Sequence, residues 1–176
     1  ISGVGDVNGD GIDDFAIAIG RNQAGFNVDP VPGNPVFSSV AVVFGDQAGF
    51  VGGFDITDLD GENGFLVTGV AGSPVPQATS AGDFNNDGIG DLLIGAEDDA
   101  FVVFGIEGAR DSRLSTGQIE QEIGVRIDGQ TNQEQATFVT AAGDINGDGF
   151  DDVILTAQGT NSPNRIAPAD TEAFVV

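Results

Sequence analysis

Gly5-Asp-Val-Asn-Gly-Asp-Gly-Ile-Asp-Asp-Phe15 decides how the rest of this chain is read, because it returns twice. The second copy is Gly82-Asp-Phe-Asn-Asn-Asp-Gly-Ile-Gly-Asp-Leu92 and the third is Gly143-Asp-Ile-Asn-Gly-Asp-Gly-Phe-Asp-Asp-Val153. All three contain Asp-x-Asn-x-Asp-Gly-x-x-Asp. The first Asp stands at 6, 83 and 144, so the copies lie 77 and 61 residues apart. Such spacing suits a whole supersecondary unit, not a short solenoid coil.

The loop has the chemistry of a calcium site. Ca²⁺ takes oxygen ligands only, and loop positions 1, 3 and 5 present them at alternate residues. These are Asp6, Asn8 and Asp10, then Asp83, Asn85 and Asp87, then Asp144, Asn146 and Asp148. Gly at position 6 permits the sharp turn. Position 7 (Ile12, Ile89, Phe150) would offer its backbone carbonyl while its side chain anchors in the core. Position 9 (Asp14, Asp91, Asp152) would close the sphere. Three Ca²⁺ sites are expected. Asp13 and Asp151 at position 8 are expected to point outward, since Gly90 replaces them in the second copy.

An EF-hand is excluded, because position 12 is Ile17, Ile94 or Leu155 inside an apolar run, where that loop needs a bidentate Glu. The same residues can also form metal-free Asx-turns, but three complete matches favour metal. Mg²⁺ fits less well, since it needs a smaller octahedral cage and keeps its waters.

The flanks repeat too. An apolar run follows each loop at 15–19, 92–96 and 153–157, and a second lies at 40–45, 101–105 and 173–176. A further run occurs at 65–70 and 125–129, and small-residue segments precede the later loops at 78–82 and 137–143. Their length, β-branching and Gly-bounded ends predict strands. The fold class expected is all-β, in four-stranded antiparallel meanders: 1–70, 71–129 and 130–176, the last without its outer strand. In such meanders all three acidic loops share one end. The connections at 21–39 and 158–172, rich in Pro, Asn and Gly, fall at the other.

Composition narrows the partners. Among 176 residues, 28 acids face five Arg and no Lys, a formal charge of −23. Nucleic acid and anionic membrane surfaces are therefore not expected partners. No apolar run is long enough to span a membrane. Self-repulsion on this scale calls for bound cations or a saline medium, and both place the protein outside the cell. With no Cys, His, Tyr or Lys, nucleophilic chemistry has few candidates. No catalytic residue is expected. Missing disulfides could be replaced by bound metal. The chain has no initiator Met and reads as a mature or excised piece.

These residues resemble the FG-GAP repeat, the blade unit of the integrin alpha-subunit propeller and of many secreted bacterial proteins. Besides the loops, Val-Val-Phe-Gly at 42–45, echoed at 102–105, carries the likeness. Phe54-Asp-Ile-Thr-Asp-Leu-Asp-Gly-Glu-Asn-Gly-Phe65 looks like the linker into the fourth strand, while Gly-Ala-Pro survives only as Gly95-Ala96-Glu97. The resemblance implies β-propeller blades in extracellular adhesion or recognition, usually seven to a ring, with calcium stiffening the blade edges. About three blades cannot close a ring. Other blades or chains would complete a propeller or a filament, and the edge at 173–176 could accept a strand.

The function expected is a calcium-stabilised extracellular module for structure, adhesion or assembly. Two alternatives stand beside it: a lectin-like glycan-binding propeller, and an accessory domain of a secreted enzyme. Arg21 and Arg165 are expected to form surface pairs with Asp29 or Asp170, Asp98-Asp99 to be a solvated turn, and most of the 13 Phe to pack in the core.

Overall fold

The computed structural model describes residues 1–20, 38–50, 53–70, 76–96, 99–119, 123–128, 134–159 and 171–176. The connections carrying Arg21, Asp29, Arg165 and Asp170 lie outside them.

The first unit runs through β1 (Ser2–Gly5), β2 (Asp14–Ile19), β3 (Ser38–Val43) and β4 (Gly64–Val70). The second has β5 (Gln77–Gly82), β6 (Asp91–Gly95) and β7 (Asp99–Val103). A short strand, β8 (Arg113–Ser115), intervenes before β9 (Gly124–Asp128) closes the sheet. The third has β10 (Glu134–Gly143), β11 (Asp152–Gly159) and β12 (Thr171–Val175). Consecutive strands within each unit pair antiparallel, and the sheets form no closed ring among the described residues. The all-β meander architecture is thus observed.

β1 supplies the first unit's inner strand, as its four-stranded reading requires, although it is too short and Gly-rich to register as an apolar run. Two features depart from expectation. The first sheet has five strands, because β8 leaves the second unit and pairs in parallel with β4, Leu114 opposite Val67. The Thr68 hydroxyl donates to the Leu114 carbonyl at 3.2 Å, and the Thr116 hydroxyl to the Gly69 carbonyl at 3.2 Å. An unpaired β4 edge would leave backbone groups open; β8 covers it, and Leu114 is buried beneath. Asp99 is not in a turn either. It opens β7 and pairs with Arg126 at 3.0 Å.

Alternation along the strands builds two interfaces. Val40, Val42, Phe65 and Val67 of the first unit meet Leu92, Ile94, Phe101 and Val103 of the second. On the second unit's other face, Ala81, Leu93 and Val102 meet Val139, Val153 and Leu155 of the third. The second sheet is therefore sandwiched, which is why 92–94 and 100–103 are continuously apolar and buried. Inner strand β5 lies against both β1 and β10. Stacked this way, the units bring the acidic loops together at one end. Not all Phe are in the core: Phe44, Phe65 and Phe101 are buried, whereas Phe50, Phe138 and Phe150 are exposed.

Candidate metal centre

Each acidic loop is held by its own side chains. Asp6 accepts from the Asp10 amide through Oδ1 (3.0 Å) and from the Gly11 amide through Oδ2 (2.8 Å). Asp83 does the same with Asp87 and Gly88 (2.9 and 2.9 Å), and Asp144 with Asp148 and Gly149 (3.1 and 3.0 Å). Position 3 also accepts from the position 5 amide, and position 5 from the position 7 amide, in all three loops. Two backbone positions turn left-handed to allow this. Position 6 is Gly throughout (φ 86°, 90° and 96°), as expected. Position 4 is Gly9, Asn86 or Gly147 (φ 71°, 57° and 79°), and Asn is among the few side-chain-bearing residues that tolerate this region.

Position 9 works differently. Asp14 accepts from the Val7 amide (2.8 Å) with one oxygen and from the Gly45 amide (2.7 Å) with the other. Asp91 repeats this with Phe84 and Gly105, both at 2.8 Å. In effect this carboxylate latches the start of the acidic loop to the end of the third strand. Asp152 has the first donor, Ile145 at 2.9 Å. In the register of β12, the counterpart of Gly45 and Gly105 would fall two residues past Val176. Burial pushes the Asp14 and Asp91 carboxyls upward against these amide donors, Asp91 to about 6, and Asp10 and Asp6 add to the shift of Asp14.

The latch explains Val-Val-Phe-Gly. A Cβ on Gly45 would lie 2.5 Å from Ile12 Cγ2 and 2.6 Å from the Asp13 carbonyl oxygen. One on Gly105 would press on Ile89 and the Gly90 carbonyl. Position 7 therefore packs onto this glycine more than into the core: Ile12 and Ile89 are half-buried and Phe150 is exposed.

Position 8 links neighbouring loops. The Gly90 amide donates to the Asp6 carbonyl at 3.0 Å, and the Asp151 amide to the Asp83 carbonyl at 3.1 Å. Asp151 does not point outward as expected. Its Oδ2 accepts from the Asp83 amide at 2.9 Å, in space left by Gly82. Asp13 is exposed. These roles for positions 4 and 8 had no clear sequence signal; the glycine of the latch had one, the second copy of Val-Val-Phe-Gly.

The donors suit a hard cation in kind, since every side chain at positions 1, 3, 5 and 9 offers oxygen. A carboxylate oxygen bonded to one amide keeps a second lone pair, so loop bonds and metal are compatible. Among the described residues, however, no three acidic side chains are gathered closely enough to form a ready-made cation cage. Positions 1, 3 and 5 come together through loop hydrogen bonds and position 9 serves as the latch, joined by a position 3 side chain in the third loop, where Asn146 Nδ2 donates to Asp152 at 3.3 Å.

Three stacked antiparallel meanders, joined through equivalent loops, define part of a β-propeller. A family model described as the FG-GAP repeat matches residues 137–170, which take in most of β10, the third acidic loop and β11. The chain thus carries an FG-GAP repeat, and its first two units share that unit's strand order and loop hydrogen bonds. No curated protein and no solved structure matches the chain.

Proposed function

We propose that this is a calcium-stabilised extracellular module with a structural or adhesive role and no catalytic one. One observation carries the reading: three loops with identical oxygen donors at positions 1, 3, 5 and 9 repeat the same amide bonds within a few tenths of an ångström. Asp6, Asn8, Asp10 and Asp14 would hold the first ion with the Ile12 carbonyl. Asp83, Asn85, Asp87, Asp91 and the Ile89 carbonyl would hold the second; Asp144, Asn146, Asp148, Asp152 and the Phe150 carbonyl the third. The bound cation would neutralise carboxylates that otherwise repel across each loop. Metal and fold are then coupled. An acidic surface and the family likeness support a location outside the cell. No helix among the described residues is long and apolar enough to cross a membrane.

Titration calorimetry and thermal melting test this. About three Ca²⁺ should bind, and Ca²⁺ at roughly 100 times Kd should stabilise by about 2.7 kcal/mol per site. Melting that is unchanged between excess EGTA and excess calcium would remove the proposal.

A groove of about 620 Å³ favours glycan binding as a second reading. It lies between the first acidic loop and the strand 3–4 connection, and Asn8, Asp10, Phe50, Phe54 and Glu62 line it. Half-exposed Phe50, edge-on to Phe15 and Phe54 at 5.6 and 6.0 Å, gives it an apolar wall. A glycan array decides: binding lost in Phe50→Ala supports this reading, and a blank array dismisses it.

A further inference from the structure

The peptide between positions 7 and 8 faces two loops at once. Its amide donates to the position 1 carbonyl of the preceding loop, from Gly90 to Asp6 at 3.0 Å and from Asp151 to Asp83 at 3.1 Å. Its carbonyl belongs to position 7, Ile89 or Phe150. Both peptides are trans, so carbonyl and amide point opposite ways, and the carbonyl faces away from the preceding loop. In the ligand sets proposed above, this carbonyl serves the ion of its own loop. A cation there polarises the peptide and makes its amide a stronger donor to the loop before it.

The second and third loops share a link that the first and second lack. Asp151 Oδ2 accepts from the Asp83 amide at 2.9 Å, so Asp151 holds both the amide and the carbonyl of Asp83. The fit depends on Gly82, where a Cβ would collide with the Asp151 carboxylate. At the other junction Gly90 supplies its amide and has no side chain to add. Asp83 is the residue that organises its loop, since its two oxygens accept from the Asp87 and Gly88 amides, both at 2.9 Å.

We propose that the second and third loops bind their cations cooperatively, with Asp151 as a positioning residue for Asp83, and that the first loop is coupled to the second more weakly, through backbone alone. The inference rests on the calcium reading. Ordering the third loop fixes Asp151, which lies between Phe150 and Asp152 of the third ligand set. Asp151 then presents Asp83 with its amide and carbonyl already held, so the second loop has less freedom left to lose on binding. Filling one loop also removes negative charge that draws a cation to the next. That opposing effect is screened by salt, whereas the hydrogen bonds between the loops are direct contacts.

Calcium titration of the full chain tests it, followed by NMR at the amides of Gly11, Gly88 and Gly149, one at position 6 of each loop. The titration is run at about 1 M NaCl, where the screening length is ~3 Å. Asp148→Asn, which takes a carboxylate from the third site, should raise the Kd read at Gly88 about tenfold and that at Gly11 less than about threefold. Linkage is reciprocal, so Asp87→Asn should raise the Kd read at Gly149 by the same factor as Asp148→Asn raises that at Gly88. In an Asp151→Ala background the response of Gly88 to Asp148→Asn should shrink to that of Gly11. Asp151→Asn keeps an oxygen acceptor for the Asp83 amide and should retain most of the response. A Kd at Gly88 that ignores Asp148→Asn overturns the proposal while leaving three calcium sites standing, and so does a response that survives Asp151→Ala. The Asp148→Asn and Asp87→Asn pair decides the coupling even if Asp151→Ala fails to fold. Three glycines unmoved by calcium would overturn this proposal and the calcium reading together.

Discussion

At the scale of single residues, the latch glycines carry a sharper constraint than the acidic loops around them. Gly45 does not have a left-handed φ, so its requirement is purely one of space. Gly45→Ala should destabilise the protein by about 1–3 kcal/mol, the usual cost of overpacking. Gly3→Ala, where a Cβ meets nothing within 4 Å, should be neutral or slightly stabilising. Urea denaturation of the pair checks this, and equal midpoints would refute the steric account. Asp91 provides a second test at the same latch. Its folded pKa of about 6 lies above the unfolded value, so between about pH 4 and 6 the folded state binds more protons. In excess chelator, stability should be fullest below pH 4 and fall as pH rises through 6. The gap between the folded and unfolded carboxyl corresponds to roughly 3 kcal/mol as an upper limit. Asp91→Asn should flatten that part of the profile; an unchanged slope would place the titration elsewhere.

Among the elements, the strand 3–4 connection of the second unit does the most to bind two units together. It sends β8 to the edge of β4, and it inserts Arg110 beneath. The guanidinium carbon lies 4.5 Å from the centre of the Phe65 ring, and Nη1 donates to the Phe104 carbonyl at 3.0 Å. Nε has no partner among the described residues, and burial lowers the Arg110 pKa to about 10 despite nearby Asp111 and Asp91. A buried charge so poorly compensated is replaceable by an apolar side chain of similar length. Arg110→Met should therefore fall within about 1 kcal/mol of wild type, whereas Arg110→Ala should lose about 2 kcal/mol through the gap over Phe65. Equal losses in both would show that the charge itself stabilises. None of this was legible in the sequence. Arg113, Leu114 and Ser115 show no periodicity, and a strand pairing with another unit leaves no local trace. By contrast, β2, β6 and β11 were plain, because each is an apolar run directly behind a repeated loop. The loops were legible as donor sets but not as geometry. The sequence identified Asp14 and Asp91 as candidate ligands, yet their amide donors Gly45 and Gly105 lie 31 and 14 residues away and come close only through strand register.

For the whole molecule, charge is the dominant unbalanced term. Three Ca²⁺ would take the formal charge from −23 to −17 (−23 + 6), so metal alone leaves most of the acidity in place. Part of that acidity is at the stacked loops, where the Asp151 carboxylate sits against the Asp83 backbone and like charges converge from adjacent units. The remainder is spread over exposed turns such as 58–63, where Asp58, Asp60 and Glu62 are neighbours. These two populations respond differently to ions. Calcium acts at the loops and saturates, whereas monovalent salt screens every exposed pair, with a Debye length falling from about 10 Å at 0.1 M to about 3 Å at 1 M. In chelator, the melting midpoint should rise steadily over that range of NaCl, by roughly 4–8 °C if screening is worth about 2 kcal/mol. With calcium bound the curve should start higher and rise less, because the densest repulsion has been removed. Thermal scans in matched NaCl and sucrose series separate screening from general solute exclusion. A midpoint flat in NaCl but steep in calcium would assign the destabilising acidity to the three loops, and would leave no thermodynamic reason to look for a saline habitat.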